Sequence, residues 1–213
     1  MANELWIYDV IGEDFFGEGV TPKSVRDQMK SMDKAEPLLV RINSPGGSVF
    51  DGVAIKTLLE EWQAGVSVQV DGIAASAASY IAMAGSTISM ASGSMLMIHN
   101  PWSVVVGNAS DMRKEADLLD RVGDQLAAAY ATKSGASLDQ IKAALEAETW
   151  YTADEAVAAG LADAVLSSPA KAFTIPTAMG YRNAPKPAEG VQPRDRVAAM
   201  QRKLTLTRAQ FKV

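Results

Sequence analysis

Val66-Ser67-Val68-Gln69-Val70-Asp71-Gly72-Ile73-Ala74-Ala75-Ser76-Ala77-Ala78-Ser79-Tyr80-Ile81-Ala82-Met83-Ala84-Gly85 holds the pattern that decides the fold. Val66 to Val70 reads as a strand, since β-branched residues suit a pleated surface. Asp71-Gly72 ends it as a turn, and a helix of small residues runs from about Ser76 to Ala84, closed by Gly85. The same unit stands just upstream. Leu38 to Ile42 reads as a buried strand, Asn43-Ser44-Pro45-Gly46-Gly47 as its turn, and Val49, Val53, Leu58, Leu59 and Trp62 mark a helix closed by Gly65. Earlier still, Leu5 to Ile11 is a strand, and Thr21-Pro22 supplies an N-cap and first-turn proline for a helix reaching about Met32.

Downstream come strands near Thr87 to Met90 and Met95 to His99. A long helix from about Ser110 to Lys133 carries Leu118, Leu119, Val122 and Leu126 on one face. Ser137 to Gln140 and Thr152 to Glu155 match the capping box and start two short helices, and Ala164 to Leu166 forms a last strand. Strands alternating with helices predict an α/β architecture with a largely parallel sheet.

The 213 residues suit one domain plus an appendage. The absence of cysteine excludes disulfides, thiolate metal sites and a cysteine nucleophile. Gly72 to Met97 is weakly polar but too interrupted by serine and glycine for a membrane span, and Met1 to Asp9 lacks the basic start of a signal peptide; the expected location is the cytoplasm. Residues 1–168 hold eleven basic and twenty-three acidic residues, a net of −12, which argues against nucleic acid as a partner of the main domain. Residues 169–213 hold nine basic and two acidic residues and five of the nine prolines, so they read as a basic linker-like tail. Within it Val197, Met200, Leu204 and Phe211 follow helical spacing and form a candidate docking helix.

His99 is the one histidine. Any serine–histidine hydrolase mechanism within this chain must therefore use it as base, with an imidazole that titrates near ~6.5. A single histidine beside an apolar strand is also an ordinary structural residue. Its position favours chemistry: Met95-Leu96-Met97-Ile98 must stop at His99-Asn100-Pro101, because proline cannot continue a central ladder, and sites in α/β sheets gather beyond the carboxyl ends of strands. Ser76 follows its own strand in the same way and opens a helix, where free N–H groups favour an oxyanion. Small neighbours such as Ala75 and Ala77 let a peptide carbonyl approach, although an Ala/Ser run equally describes a tightly packed helix. The Gly46-Gly47 pair offers either exposed N–H donors or simply a tight turn.

Together these segments resemble the Clp protease proteolytic-subunit (ClpP-like) family. Ile42-Asn43-Ser44-Pro45-Gly46-Gly47 is similar to its glycine-rich signature, Gly72-Ile73-Ala74-Ala75-Ser76 to its nucleophile segment, and Met97-Ile98-His99-Asn100-Pro101 to its histidine segment. The likeness continues through Glu155-Ala156-Val157-Ala158-Ala159-Gly160-Leu161-Ala162-Asp163, covers about residues 4–167, and is closest to the branch encoded by tailed phages and prophages, the head maturation proteases.

The resemblance implies the superhelical β-α repeat fold shared with crotonases, with a protruding long helix, over residues 1–168. It implies a serine endopeptidase without cofactor or metal. Ser76 would be nucleophile, His99 base, and the N–H groups of Gly47 and Ala77 the oxyanion donors, with Gly46 beside them in the substrate-binding loop. The family's usual aspartate is replaced here by Glu148, with Glu146 or a backbone carbonyl as substitutes. A homo-oligomeric ring stacked through the long helix is implied, acting on unfolded or flexible polypeptides such as capsid or scaffold proteins in the host cytoplasm or prohead. Family members that work with an ATP-driven unfoldase carry an extension ahead of the first strand that forms axial loops; here that strand is expected within a few residues of Met1, which makes such an unfoldase a doubtful partner. Three other readings stay open: a Ser–Lys peptidase with Lys56 as base, a crotonase relative acting on an acyl-CoA, and a catalytically inactive ring-forming assembly protein.

Overall fold

The computed structural model describes residues 3–13, 18–173, 175 and 179–185. Seven strands form one sheet, and every pairing in it is parallel except the last one made. β1 (Asn3–Tyr8) lies beside β2 (Leu38–Ser44), which lies beside β3 (Val66–Ala75). β3 then forks. Its first half, Ser67 to Val70, pairs with β4 (Thr87–Ser92), and its second half, Ile73 to Ala75, pairs with β5 (Met95–Ile98). β7 (Ala164–Pro169) extends the sheet beyond β4, and β6 (Thr149–Thr152) runs antiparallel to β5.

The helices cross between strands as the alternation predicts: α1 (Pro22–Met29), α2 (Val49–Glu60), α3 (Ala77–Ala82), α4 (Ala109–Ser134), α5 (Leu138–Glu146) and α6 (Ala153–Ala158). Both expected capping boxes form, with the Ser137 and Thr152 hydroxyls accepting from the N–H groups of Gln140 and Glu155. The α4 helix is 26 residues, or about 39 Å, long, and its buried residues begin only at Val122, so its first half projects from the body. The core is the inner faces of β1, β2, β3 and β4 against α1, α2 and α3, led by Leu5, Ile7, Leu38, Ile42, Ile55, Leu59, Ile81 and Ile88.

Four boundaries differ from the sequence reading by three residues or in kind, the first being β1, which ends at Tyr8 rather than Ile11. α1 ends at Met29 rather than Met32, because the Asn3 side chain takes the Asp33 carbonyl (2.7 Å) and draws the chain back toward β1. β3 does not turn at Asp71-Gly72 but runs straight through it to Ala75. Asp71, 2 % exposed, is an in-strand anion gripped by the Arg41 guanidinium (2.9 and 2.6 Å), the Gln69 amide (2.8 Å) and the Tyr8 hydroxyl. Gly72 is needed for space, since a Cβ there would run into the Lys171 carbonyl and come 2.6 Å from the Asn43 side-chain oxygen. The small-residue helix starts at Ala77, with Ser76 left outside it as N-cap.

Beyond β7 the described residues lie back across the body rather than leaving it. The helical pattern from Val197 to Phe211 falls outside the described residues. Among the described residues no helix is long and apolar enough to cross a membrane.

Candidate active site

The forked strand and its neighbours bring the site together by register alone. Ala75 pairs with Met97, and the Ser76 N–H donates to the Met97 carbonyl (3.0 Å), so both chains end side by side. Ile98 pairs with Thr149 in the antiparallel β5–β6 ladder, so the next step places His99 opposite Glu148. The ladder on β5 stops where Asn100-Pro101 turns away, which frees the imidazole.

The Ser76 hydroxyl and His99 Nε2 are 2.7 Å apart. Ser76 holds φ 54° and ψ −123°, a region that costs a residue with a Cβ on the order of 1–3 kcal/mol and that persists only under outside constraint. The constraint is visible beneath it. The buried Ser79 hydroxyl sits 2.8 Å from the Ser76 carbonyl, 2.7 Å from the Met97 carbonyl and 2.8 Å from the Tyr130 hydroxyl of α4. One side chain thus joins the Ser76 turn, the histidine strand and the long helix.

The glycine turn packs directly on Ser76. A Cβ on Gly46 would strike the Ala75 carbonyl and lie 2.8 Å from the Ser76 Cβ, and Gly46 and Gly47 take φ of 90° and 149°. The Gly46 N–H is taken by the Ser44 hydroxyl (3.1 Å) and its carbonyl by the Ile11 N–H (2.8 Å). Gly46 therefore contributes close approach rather than a donor. Among the described residues the N–H groups of Gly47 and Ala77 have no acceptor, and both residues line a cavity of about 240 Å³ over Ser76 and His99. Leu126, Tyr130, Trp102 and Tyr181 form much of its apolar wall.

Burial holds the His99 imidazole below its ordinary value; the Glu148 charge pulls it up and the Arg182 cation pushes it down further. The ring is therefore a neutral acceptor at neutral pH. Glu148 is 4 % exposed and has φ 49°. Burial pushes its carboxyl up, but the Asn183 and Arg182 main-chain N–H groups (2.7 and 2.9 Å), the Trp150 indole (3.3 Å) and nearby His99 outweigh that and keep it ionised. Among the described residues Glu148 makes no hydrogen bond to His99, so the pair interacts through charge. Glu146 lies apart, its exposed carboxylate accepting from the Asn100 amide (2.7 Å).

Lys56 is not placed to act as base. Its ammonium pairs with Glu60, lies 5.4 Å from the Tyr80 ring centroid, and lines a separate cavity with Met83 and Ser86. What the sequence reading missed lies beyond Pro169: Met179 and Tyr181 face the cavity, and Arg182 and Asn183 hold Glu148. An aromatic residue in a proline-containing stretch was the one available signal, and it carries no register.

Comparison with known proteins shows the family. The model of the family described as Clp protease matches residues 23–169. An ATP-dependent Clp protease proteolytic subunit 1 from Synechococcus sp. (strain CC9902) is 33% identical over 160 residues, 71% of this chain and 81% of that protein. The subunit 1 of Chlamydia abortus is 33% identical over 164 residues, 72% of this chain and 85% of its own. The proteolytic subunit of Bacteroides fragilis is 33% identical over 151 residues, 68% and 73% of the two chains. With a family match over well more than half its length and relatives a third identical across two thirds of it, this chain belongs to the Clp protease family.

Proposed function

We propose that the protein is a serine endopeptidase in which Ser76 is nucleophile and His99 general base. The observation that carries this reading is the 2.7 Å contact between the Ser76 hydroxyl and His99 Nε2 beside two unoccupied N–H groups. His99 takes the hydroxyl proton as Ser76 Oγ bonds to the scissile carbonyl carbon. The oxygen of that carbonyl becomes an anion held by the Gly47 and Ala77 N–H groups, the kind of stabilisation that dominates acyl transfer. Collapse breaks the C–N bond, the imidazolium gives its proton to the leaving amine, and an ester on Ser76 remains. Water, deprotonated by the same imidazole, then releases the acid and restores the hydroxyl. Glu148 stabilises the imidazolium across space, which its ionised state supports.

The substrate we assign is an unfolded or flexible polypeptide, with a capsid or scaffold protein as natural target, cut without an ATP-driven unfoldase. This rests on the likeness of the motifs to the phage-encoded branch. A ring of copies accounts for the apolar run Trp102, Val104, Val105 and Val106, which with Met112 on the outer half of α4 stands exposed on a single chain. Treating the intact protein with a fluorophosphonate tests the chemistry. Labelling at Ser76 that disappears in His99→Ala, together with nucleotide-free cutting of an unfolded polypeptide, is expected; a protein that neither labels nor cuts rules the reading out.

A further inference from the structure

The chain beyond β7 does not stop at the sheet edge. The Lys171 N–H donates to the Asp71 carbonyl (2.6 Å), and the Asn43 amide donates to the Ala172 carbonyl (3.2 Å). Phe173 and Ile175 then pack on Ile73, Ala75 and Met97, the small apolar cluster made by the second half of β3 and by β5. From there the chain reaches the reacting groups. The Tyr181 ring stands edge-on to His99 (centroids 5.3 Å apart, 89°) and to Trp150 (5.8 Å, 72°), and its hydroxyl donates to the Pro45 carbonyl (2.6 Å). Met179 and Tyr181 line the cavity over Ser76. One residue further, the Arg182 and Asn183 main-chain N–H groups occupy the two oxygens of Glu148, while their side chains hold the Glu146 and Ala147 carbonyls (3.1 and 2.9 Å).

Two features mark this segment as an obstruction. What it presents beside Ser76 is a phenol side chain and not a peptide carbonyl, so nothing in it is poised for attack, and Met179 and Tyr181 wall in the cavity over Ser76. It also places a main-chain donor on each oxygen of Glu148, in competition with an imidazole N–H for the same carboxylate. Burial pushes the Tyr181 hydroxyl up to about 12, against the lowering effect of the Ser76 hydroxyl nearby, so the phenol stays protonated and remains a donor at neutral pH.

We propose that residues 179–183 are an intramolecular plug that closes the peptidase site and must be displaced before a polypeptide can reach Ser76. The proposal rests on the assignment of Ser76 and His99 made above. Its hold is a few hydrogen bonds and one aromatic ring, a scale that substrate binding or a pull on the following residues can overcome.

The test keeps the full chain and uses two substitutions that loosen the plug in different ways: Tyr181→Ala removes the ring from the cavity wall, and Asn183→Pro removes one of the donors on Glu148. The readouts are the second-order rate of fluorophosphonate labelling at Ser76 and kcat/KM on a short unstructured fluorogenic peptide. A rise of roughly tenfold or more in either variant is expected, the factor that ~1.4 kcal/mol of closure corresponds to. Rates equal to or below the unsubstituted protein in both variants overturn the plug and make the segment part of the working site, while His99-dependent labelling of the unsubstituted protein leaves the peptidase assignment standing. Absence of labelling in every variant removes both.

Discussion

Ser79 and Tyr130 offer a quantitative check on how the Ser76 turn is held. The Ser79 hydroxyl has one proton and two carbonyl neighbours, Ser76 and Met97, so its contact with Tyr130 is one in which the phenol donates. Ser79→Ala leaves both carbonyls with a partner, since the Tyr80 N–H still reaches the Ser76 carbonyl (3.1 Å) and the Ser76 N–H still reaches that of Met97 (3.0 Å). It strands the Tyr130 hydroxyl, on a side chain only 1 % exposed, and a buried unmatched donor costs about 1–3 kcal/mol. Tyr130→Phe loses one hydrogen bond but strands nothing, for about 0.5–1.5 kcal/mol. In the double variant the stranded donor is gone. It is therefore expected to melt above Ser79→Ala, by a few °C at the ~2–4 °C per kcal/mol that fits a chain of this size. Thermal melts of the four proteins at one protein concentration and one assembly state decide it. If the double variant falls below Ser79→Ala by the full cost of Tyr130→Phe, the proton assignment and the reasoning built on it are wrong.

Peptidase activity should fall on the acid side as His99 takes a proton, with a midpoint below the ordinary ~6.5 of histidine, because burial disfavours the charged ring. Glu148→Gln removes the charge that raises that value, so the acid limb of a kcat/KM profile should move to still lower pH while kcat drops; a shift upward would contradict the electrostatic role. Arg41→Ala leaves Asp71 as a poorly matched buried anion, which costs about 3–5 kcal/mol and should lower the melting temperature by on the order of 10 °C in calorimetry. Gly46→Ala puts a methyl against the Ala75 carbonyl at a φ of 90°, so labelling of Ser76 should become undetectable at times that saturate the unsubstituted protein.

The strand–helix alternation was legible because each unit carries its own punctuation: Thr21-Pro22, Ser137 to Gln140 and Thr152 to Glu155 start helices by local hydrogen bonds that need no tertiary context. Ser76 and His99 were legible for a related reason, since each stands where a strand must end. Asp71-Gly72 misled because the pair has the local chemistry of a turn, and only Arg41, thirty residues away, turns its aspartate into a strand residue. β6 was missed because Thr149 to Thr152 is short and owes its extended form to pairing with β5. Glu148 came from likeness to relatives and not from spacing, as its left-handed backbone and its partners at 182 and 183 are products of the folded whole. Tyr181 carried no periodic signal at all; contacts with His99, Trp150 and Pro45 define it.

The proposed nucleophile, base and acid hang from three adjacent strands, and the pleat makes that arrangement all-or-none. A slip of one residue between β3 and β5, or between β5 and β6, would swing the imidazole to the opposite face and away from its hydroxyl. A half-paired chain emerging during synthesis thus owns every reactive group and none of the reactivity. Cutting power arrives only when the pairing is complete, which spares the cell a hydrolase that is armed before it is folded.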